Sequence, residues 1–441
     1  MSEALAPPRF APLRTPAVTA RVRSLVAGGS LALIVASGVA IAVGSAWPKS
    51  SLIRVGGNIR PGWLGGPLAG IVPHITFAQF LLLLAAMAVG YFALLLAGVE
   101  LRARWVLGAI AFLHLAFVLA PPLLTSDLFS YLDYARLGAL HGIDPYLHGP
   151  SAAPHDPAFA LTAWRHVGSA YGPLFTVATY PLAQLSLPLA IWSLKVVAAA
   201  ASLGCVALVW RIAGQLGHSP ARAAALFGLN PMLLVWTMGG GHNDLLMLLL
   251  ALAGVSLALA SREALGGAAL VAAVAVKATA GLAIPFLLLG VRRHGRAALG
   301  VAGAAALAFG VAIVAFPGDP LGVVDVLRHN QKLIAFDGVP TEVARLAGLR
   351  GVTGGVRVAS TAAFVLVLIW LAVLLRRGYD WVSACGWALV AVEAASPWFL
   401  AWYTVWPLPF AAVSRDRRLL AATIGLQLYF MVNHIPHFTI G

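Results

Sequence analysis

Apolar residues reach this chain in long runs, and the breaks between the runs carry arginine. The runs cover 24–46, 76–98, 105–124, 187–210, 223–238, 245–260, 297–315, 357–375, 381–395, 399–413 and 419–435, with two shorter halves, 265–276 and 278–291, flanking Lys277. A membrane-spanning helix needs ~20 apolar residues. The pattern predicts an all-α polytopic membrane protein of about thirteen transmembrane helices. Two polar stretches interrupt it, 125–186 and 316–356, the first rich in Asp, His, Tyr and Pro. No internal repeat is visible, which argues against the inverted-repeat transporter plan.

Alternating the sides from an inside start places the basic clusters at 9–23, 102–104, 211–222, 262, 292–296, 376–377 and 415–418 on one face. Arginine and lysine favour the cytoplasmic side, so both long loops are expected outside. The domain reading is a cytoplasmic tail over 1–23 and a single membrane domain over 24–441. Arg9, Arg14, Arg21 and Arg23 stand among prolines and alanines with no compact signal-peptide layout, which suggests a retained tail.

Composition agrees with a multi-pass cell-membrane protein: of 441 residues, 61% are hydrophobic and only 10% charged. The net charge of +14 would suit a nucleic-acid partner, but its distribution between apolar runs encodes topology instead. Cys205 and Cys385 lie in apolar runs and offer neither a disulfide framework nor metal-ligand spacing. His148, His155 and His166 match no metal signature. No glycine-rich nucleotide loop is present, which argues against ATP-driven transport, and no cofactor is expected.

Candidate chemistry starts where the third apolar run ends at Pro121-Pro122. The segment that follows holds three carboxylates, Asp127, Asp133 and Asp144. Asp127 would face a lipid-borne head group at the membrane boundary, or would simply cap the next helix. Ionisable groups inside apolar runs are functional candidates. His242, Asn243 and Asp244 follow three glycines, a pattern that suits close approach of a ligand to the backbone, or a turn with an N-cap. Lys277 splits an apolar stretch, which a phosphate partner or snorkelling to the interface would explain. Lys195 and Glu393 read as structural. Trp398, Phe399, Trp402, Tyr403 and Trp406 follow the Ser396-Pro397 break, as an interfacial belt or as a sugar- or lipid-binding surface. Tyr171-Gly172-Pro173-Leu174 reads as a turn that docks the first loop back on the membrane.

The segments SDLFSYLDYARLGALHGIDPYLHGP and SAYGPLF resemble the first loop of the GT-C superfamily of integral-membrane glycosyltransferases. The likeness is greatest to the bacterial polyprenol-phosphate-mannose-dependent alpha-1,6-mannosyltransferases of lipomannan assembly. GGGHNDLLMLLLALAG, AVKATAGLAIPFLLL and SPWFLAWYTVWPLPF resemble their later motifs in the same order, so the likeness runs from about 75 to 440. It implies a GT-C fold and an inverting hexosyl transfer, mannose first among the sugars, from a polyprenyl-phosphate donor to a glycan or glycolipid acceptor outside the membrane. It implies Asp127 as general base. Lys277 and His242 would then face the donor phosphate, with Arg136 or Arg165 as substitutes. Tyr131, Asp133, Asp144, Tyr146, Tyr171, Asn243 and Asp244 would contact substrate, together with Trp398, Trp402 and Tyr403. Other GT-C enzymes use other polyprenyl-linked sugars, and a polyprenyl-phosphate-sugar flippase is the competing class. A flippase gives no role to a carboxylate-rich outer loop.

Overall fold

The structure is a computed structural model that describes residues 20–57, 60–98 and 101–434. Most of the expected tail, Glu100 and the end of the last apolar run lie outside the described residues. Helix Ala20–Gly44 includes Arg21 and Arg23.

Among the described residues every regular element is helical. Five helices among the described residues are long and apolar enough to cross a bilayer, or six if one bent pair counts as a span. Two of them, His294–Ala315 and Gly354–Arg376, have only 11% of their most apolar stretch buried inside the molecule. They present Leu299, Leu307, Val314, Val358 and Leu366 outward. A helix that is apolar all round and uncovered by protein requires hydrocarbon around it. The chain is therefore a membrane protein.

Local chemistry sets the helix ends. Phe77–Ala97 starts at a capping box in which Thr76 Oγ1 accepts from Gln79 N and Gln79 Oε1 accepts from Thr76 N. It stops at Gly98, whose φ of 64° is left-handed. Gly98, Leu101 and Arg222 share one crevice. Leu216, His218, Gly378, Arg415 and Arg418 share another.

Several expected spans are broken. The 223–238 run divides into helix Pro220–Gly228 and a π-helical stretch, Met232–Met238, bent by 52°. Asn230 serves the break: its Oδ1 accepts from Met232 N and Leu233 N while its Nδ2 donates to Gln427. The 399–413 run is corrected more strongly. It forms a 3-10 turn, Ala401–Val405, and a six-residue helix, Leu408–Val413, ~9 Å long and far too short to span. Pro407 and Pro409 supply no backbone N–H to a continuous helix. Around Lys277, helix Glu263–Val274 gives way to a 3-10 turn, Ala278–Leu282, and then helix Ala283–Gly290. Twelve residues rise ~18 Å, so the first half alone falls short of the ~30 Å core.

The first polar stretch is packed, and the second, more exposed, touches it at a few points. The first contains helix Asp127–His141, with ten of its fifteen residues buried. The second contains Gly322–Asn330 and Val339–Leu346, and Ala335 N donates to Pro397 O at 2.8 Å. Both reach the same cavity.

Candidate active site

The segment before Asp127 is clamped at successive residues. Pro121 O accepts from Lys195 Nζ at 2.9 Å, and the same ammonium donates to Gly239 O at 3.2 Å. Leu123 N donates to Gly239 O, and Leu124 N to Leu52 O. Leu124 has a φ of 62°, an uncommon conformation for a residue with a branched side chain. Surrounding hydrogen bonds hold that strain three residues before Asp127. Lys195 is fully buried, so its structural reading becomes specific: it ties together the two segments that deliver Asp127 and His242.

Asp127 opens its helix but does not cap it. The N-cap is Ser126, and Thr125 Oγ1 accepts from Asp127 N at 3.0 Å. The carboxylate accepts instead from the Trp164 indole N–H, at 3.0 Å on Oδ1. Oδ2 lies 3.6 Å from His242 Nδ1. Burial pushes this carboxyl up from 3.8 to about 6, against the opposing pull of the Trp164 hydrogen bond and the Lys277 charge. A carboxyl so placed holds or releases a proton near neutral pH.

The glycine break stands beside it. Gly241 has a φ of 73°, which favours glycine. His242 is 1% exposed, stacks on Trp402 with ring centres 4.0 Å apart, and has no hydrogen-bond partner on either ring nitrogen. Asn243 N donates to the Tyr131 hydroxyl, and that hydroxyl donates to Asn243 Oδ1, both at 3.3 Å. Asp244 is fully buried. Its Oδ1 accepts from Lys277 Nζ at 2.7 Å and from Trp406 Nε1 at 2.5 Å. Lys277 Nζ also sits over the rings of Tyr403 and Trp406, 4.6 and 5.2 Å from their centres. An ammonium has three donors, so pairing with Asp244 leaves others to face a ligand.

The position of Lys277 is set by the first loop. After Val274 the carbonyls of Ala275 and Val276 leave the helix and accept from Gly172 N, Leu174 N and Phe175 N. A Cβ on Gly172 would lie 2.2 Å from Ala275 O, so only glycine permits this approach. The expected docking turn thus joins the lysine break to the loop that carries Asp127.

Asp127, Trp164, Tyr171, Lys277, Trp398 and Tyr403 line one cavity of about 440 Å³. It is closed by residues of the second polar stretch and by Glu393. Trp164 and Trp398 meet edge to face at 6.0 Å. A carboxylate able to take a proton and an ammonium able to hold an anion share this aromatic-lined space. The arrangement suits attack by a hydroxyl group and departure of a phosphate.

Other expected site residues lie off the cavity wall. Arg136 is paired with Asp156 at 2.8 Å and donates to Ala183 O, so its charge is already engaged. Arg165 donates to Thr162 O and lies 4.7 Å over Phe159. His242, Asn243, Asp244 and Trp402 stand behind Asp127 and Lys277. Asp133 is 1% exposed, and burial together with Asp156 pushes it up to about 7. Asp144 Oδ1 accepts from Tyr146 N in a local turn, and Tyr146 O–H donates to Tyr171 O. Tyr131 packs edge-on against Tyr171 at 4.7 Å. Among the described residues no group of three His, Cys, Asp or Glu side chains could hold a metal ion. Sequence reasoning missed Trp164, Tyr134 and Asn330 and left Glu393 as structural. A lone tryptophan in a polar stretch was the available signal for Trp164.

Comparison with known proteins places this geometry in a family. The profile described as "Alpha-(1->6)-mannopyranosyltransferase, N-terminal domain" matches residues 26–293, which include Asp127, His242 and Lys277. The chain is 31% identical over 366 residues to alpha-(1->6)-mannopyranosyltransferase A of Mycobacterium tuberculosis, an alignment covering 72% of this chain and 68% of that relative. It is 31% identical over 178 residues to alpha-(1->6)-mannopyranosyltransferase A of Corynebacterium glutamicum, covering 39% and 36%. It is 25% identical over 338 residues to alpha-(1->6)-mannopyranosyltransferase B of that organism, covering 66% and 56%. No solved structure matches the chain. The chain belongs to the alpha-(1->6)-mannopyranosyltransferase family.

Proposed function

We propose that this protein transfers mannose from a polyprenyl-phosphate donor to a hydroxyl of a glycan or glycolipid acceptor, forming an alpha-(1->6) bond in lipomannan-type assembly. The observation that carries the reading is one cavity wall shared by Asp127 and Lys277. Asp127 takes the proton of the attacking hydroxyl as its oxygen bonds to the anomeric carbon. The bond from that carbon to the phosphate oxygen breaks, and the lipid phosphate leaves with the bonding pair. Lys277 holds the departing charge, which grows toward the transition state. One base and one displacement invert the anomeric centre. His242 stands between Asp127 and Trp402, its Nδ1 3.6 Å from the carboxylate. The arginine clusters support a multi-pass arrangement with this site on the extracytoplasmic face.

Asp127→Asn tests the reading. The amide is nearly isosteric and still accepts from Trp164, so fold and donor binding persist while the proton acceptor is lost. The transfer rate should fall about 10²–10⁴-fold, measured with purified protein in detergent at saturating donor. A variant that keeps most of the wild-type rate, with Asp133→Asn and Asp144→Asn measured alongside, removes Asp127 from the mechanism.

A further inference from the structure

The cavity has polar groups that the proposed chemistry leaves unused. Glu393, near the end of helix Trp381–Ala395, is 1% exposed, and neither carboxylate oxygen has a hydrogen-bond partner. Asn330, the last residue of helix Gly322–Asn330, also has a buried, unpartnered Oδ1. Both residues line the cavity that holds Asp127 and Lys277. Asp244 is engaged with Lys277 and Trp406 and Asp156 with Arg136 and His141; Asp133 and Glu263 each bury an unpartnered oxygen as well, but neither lines this cavity. Burying an ionised carboxylate without partners is costly, and a group so placed keeps its proton instead. A pocket that keeps such a group has a use for it when filled.

Asn330 Oδ1 accepts, and a carboxyl that keeps its proton both accepts and donates, so the missing partner is a group that can do both, as a hydroxyl does. A cationic ligand is disfavoured, because Lys277 faces the same space. A neutral ligand with several O–H groups and an apolar face fits these groups and the rings of Trp398 and Tyr403 together. The volume of about 440 Å³ is in the range of small-ligand pockets. We propose that Glu393 and Asn330 form a saccharide subsite, exchanging hydrogen bonds with the hydroxyls of a sugar ring held in the Asp127 cavity. The inference rests on the glycosyl-transfer reading for its context. The sugar is either that of the lipid donor or the end residue of the acceptor, which share this chemistry.

The test uses the full chain in detergent with Glu393→Leu, Glu393→Gln and Asn330→Ala. Thermal stability is measured without ligand. Binding of alpha-1,6-mannobiose, polyprenyl-phosphate mannose and free polyprenyl phosphate is measured calorimetrically. Glu393→Leu should be at least as heat-stable as wild type, because the lost carboxylate has no partner. Its affinity for a sugar-bearing ligand should fall about 3–10-fold, the range for a neutral hydrogen bond. Glu393→Gln, which keeps one acceptor, should lose less. A loss confined to mannobiose assigns the subsite to the acceptor. A loss confined to polyprenyl-phosphate mannose, with free polyprenyl phosphate unaffected, assigns it to the donor sugar. Unchanged affinities in Glu393→Leu overturn the inference. So does a wild type that binds neither sugar, or a destabilised variant that loses all three ligands alike. Glu393-dependent sugar binding by a wild type that transfers no mannose would overturn the transferase reading and leave the subsite standing.

Discussion

Replacing Lys277 by Met separates two roles that the geometry has combined. Asp244 is fully buried and accepts from Lys277 Nζ at 2.7 Å and Trp406 Nε1 at 2.5 Å, and its Oδ2 has no partner. Removing the ammonium leaves a buried carboxylate answered by one neutral donor. Breaking a buried pair from one side costs ~3–5 kcal/mol, so the variant should melt lower, on the order of 5 °C in a thermal scan. Weak donor binding by Lys277→Met alone would therefore be ambiguous. Lys277→Met with Asp244→Asn removes both charges, and the amide still accepts from Trp406. The pair should recover most of the lost stability. Donor affinity should stay reduced, about tenfold or more, since a hydrogen-bonded charge contributes ~1.5–3 kcal/mol. The assay is a thermal scan of each single and the double variant, with calorimetric titration of polyprenyl-phosphate mannose. A double variant that binds donor as tightly as wild type removes Lys277 from the phosphate site. A Lys277→Met protein as stable as wild type refutes the buried-pair argument.

Two further outcomes follow from the same geometry. Asp127 must be ionised to act as a base and is pushed up to about 6, so kcat/KM should be flat above that pH and fall about tenfold per unit below it. The same shift opposes stability, because the folded state holds this proton more tightly than the unfolded chain, and stability from this group is lost as pH rises from 3.8 to about 6. A rate profile with no inflection between pH 5 and 7 in wild type would refute the assignment. Gly172→Ala puts a methyl group 2.2 Å from Ala275 O, which must shift the break that carries Lys277. Donor affinity should fall in this variant while Asp127 keeps its pH profile; unchanged donor binding would show that the loop contact does not position the lysine.

The parts of the site that sequence reasoning could reach are those that break a local rule. Asp127 follows a double proline, Lys277 interrupts an apolar run, and His242 follows three glycines. Each is visible in a short window because the bilayer penalises it there. What the window hides is pairing. Asp244 and Lys277 are 33 residues apart, and Asp244 and Trp406 are 162 apart, so the burial of that lysine against a carboxylate had no local sign. Arg136 looked free because Asp156, which neutralises it, lies 20 residues on in the same polar stretch. The same limit applies to the spans. Hydropathy reports how apolar a run is, not whether its backbone donors are present. Thus 399–413 counted as a span although Pro407 and Pro409 divide it, and its aromatic residues face the cavity and its backing. Glu393 is the opposite case. Its neighbours in VAVEAASPW are apolar, and a structural reading was natural until its two oxygens proved to have no partner and an open cavity beside them. Pairing alone does not mark the groups that meet a ligand: Lys277 is paired and still faces the cavity, and Glu393 is unpaired and lies beside it. Their shared place on one wall is what joins them.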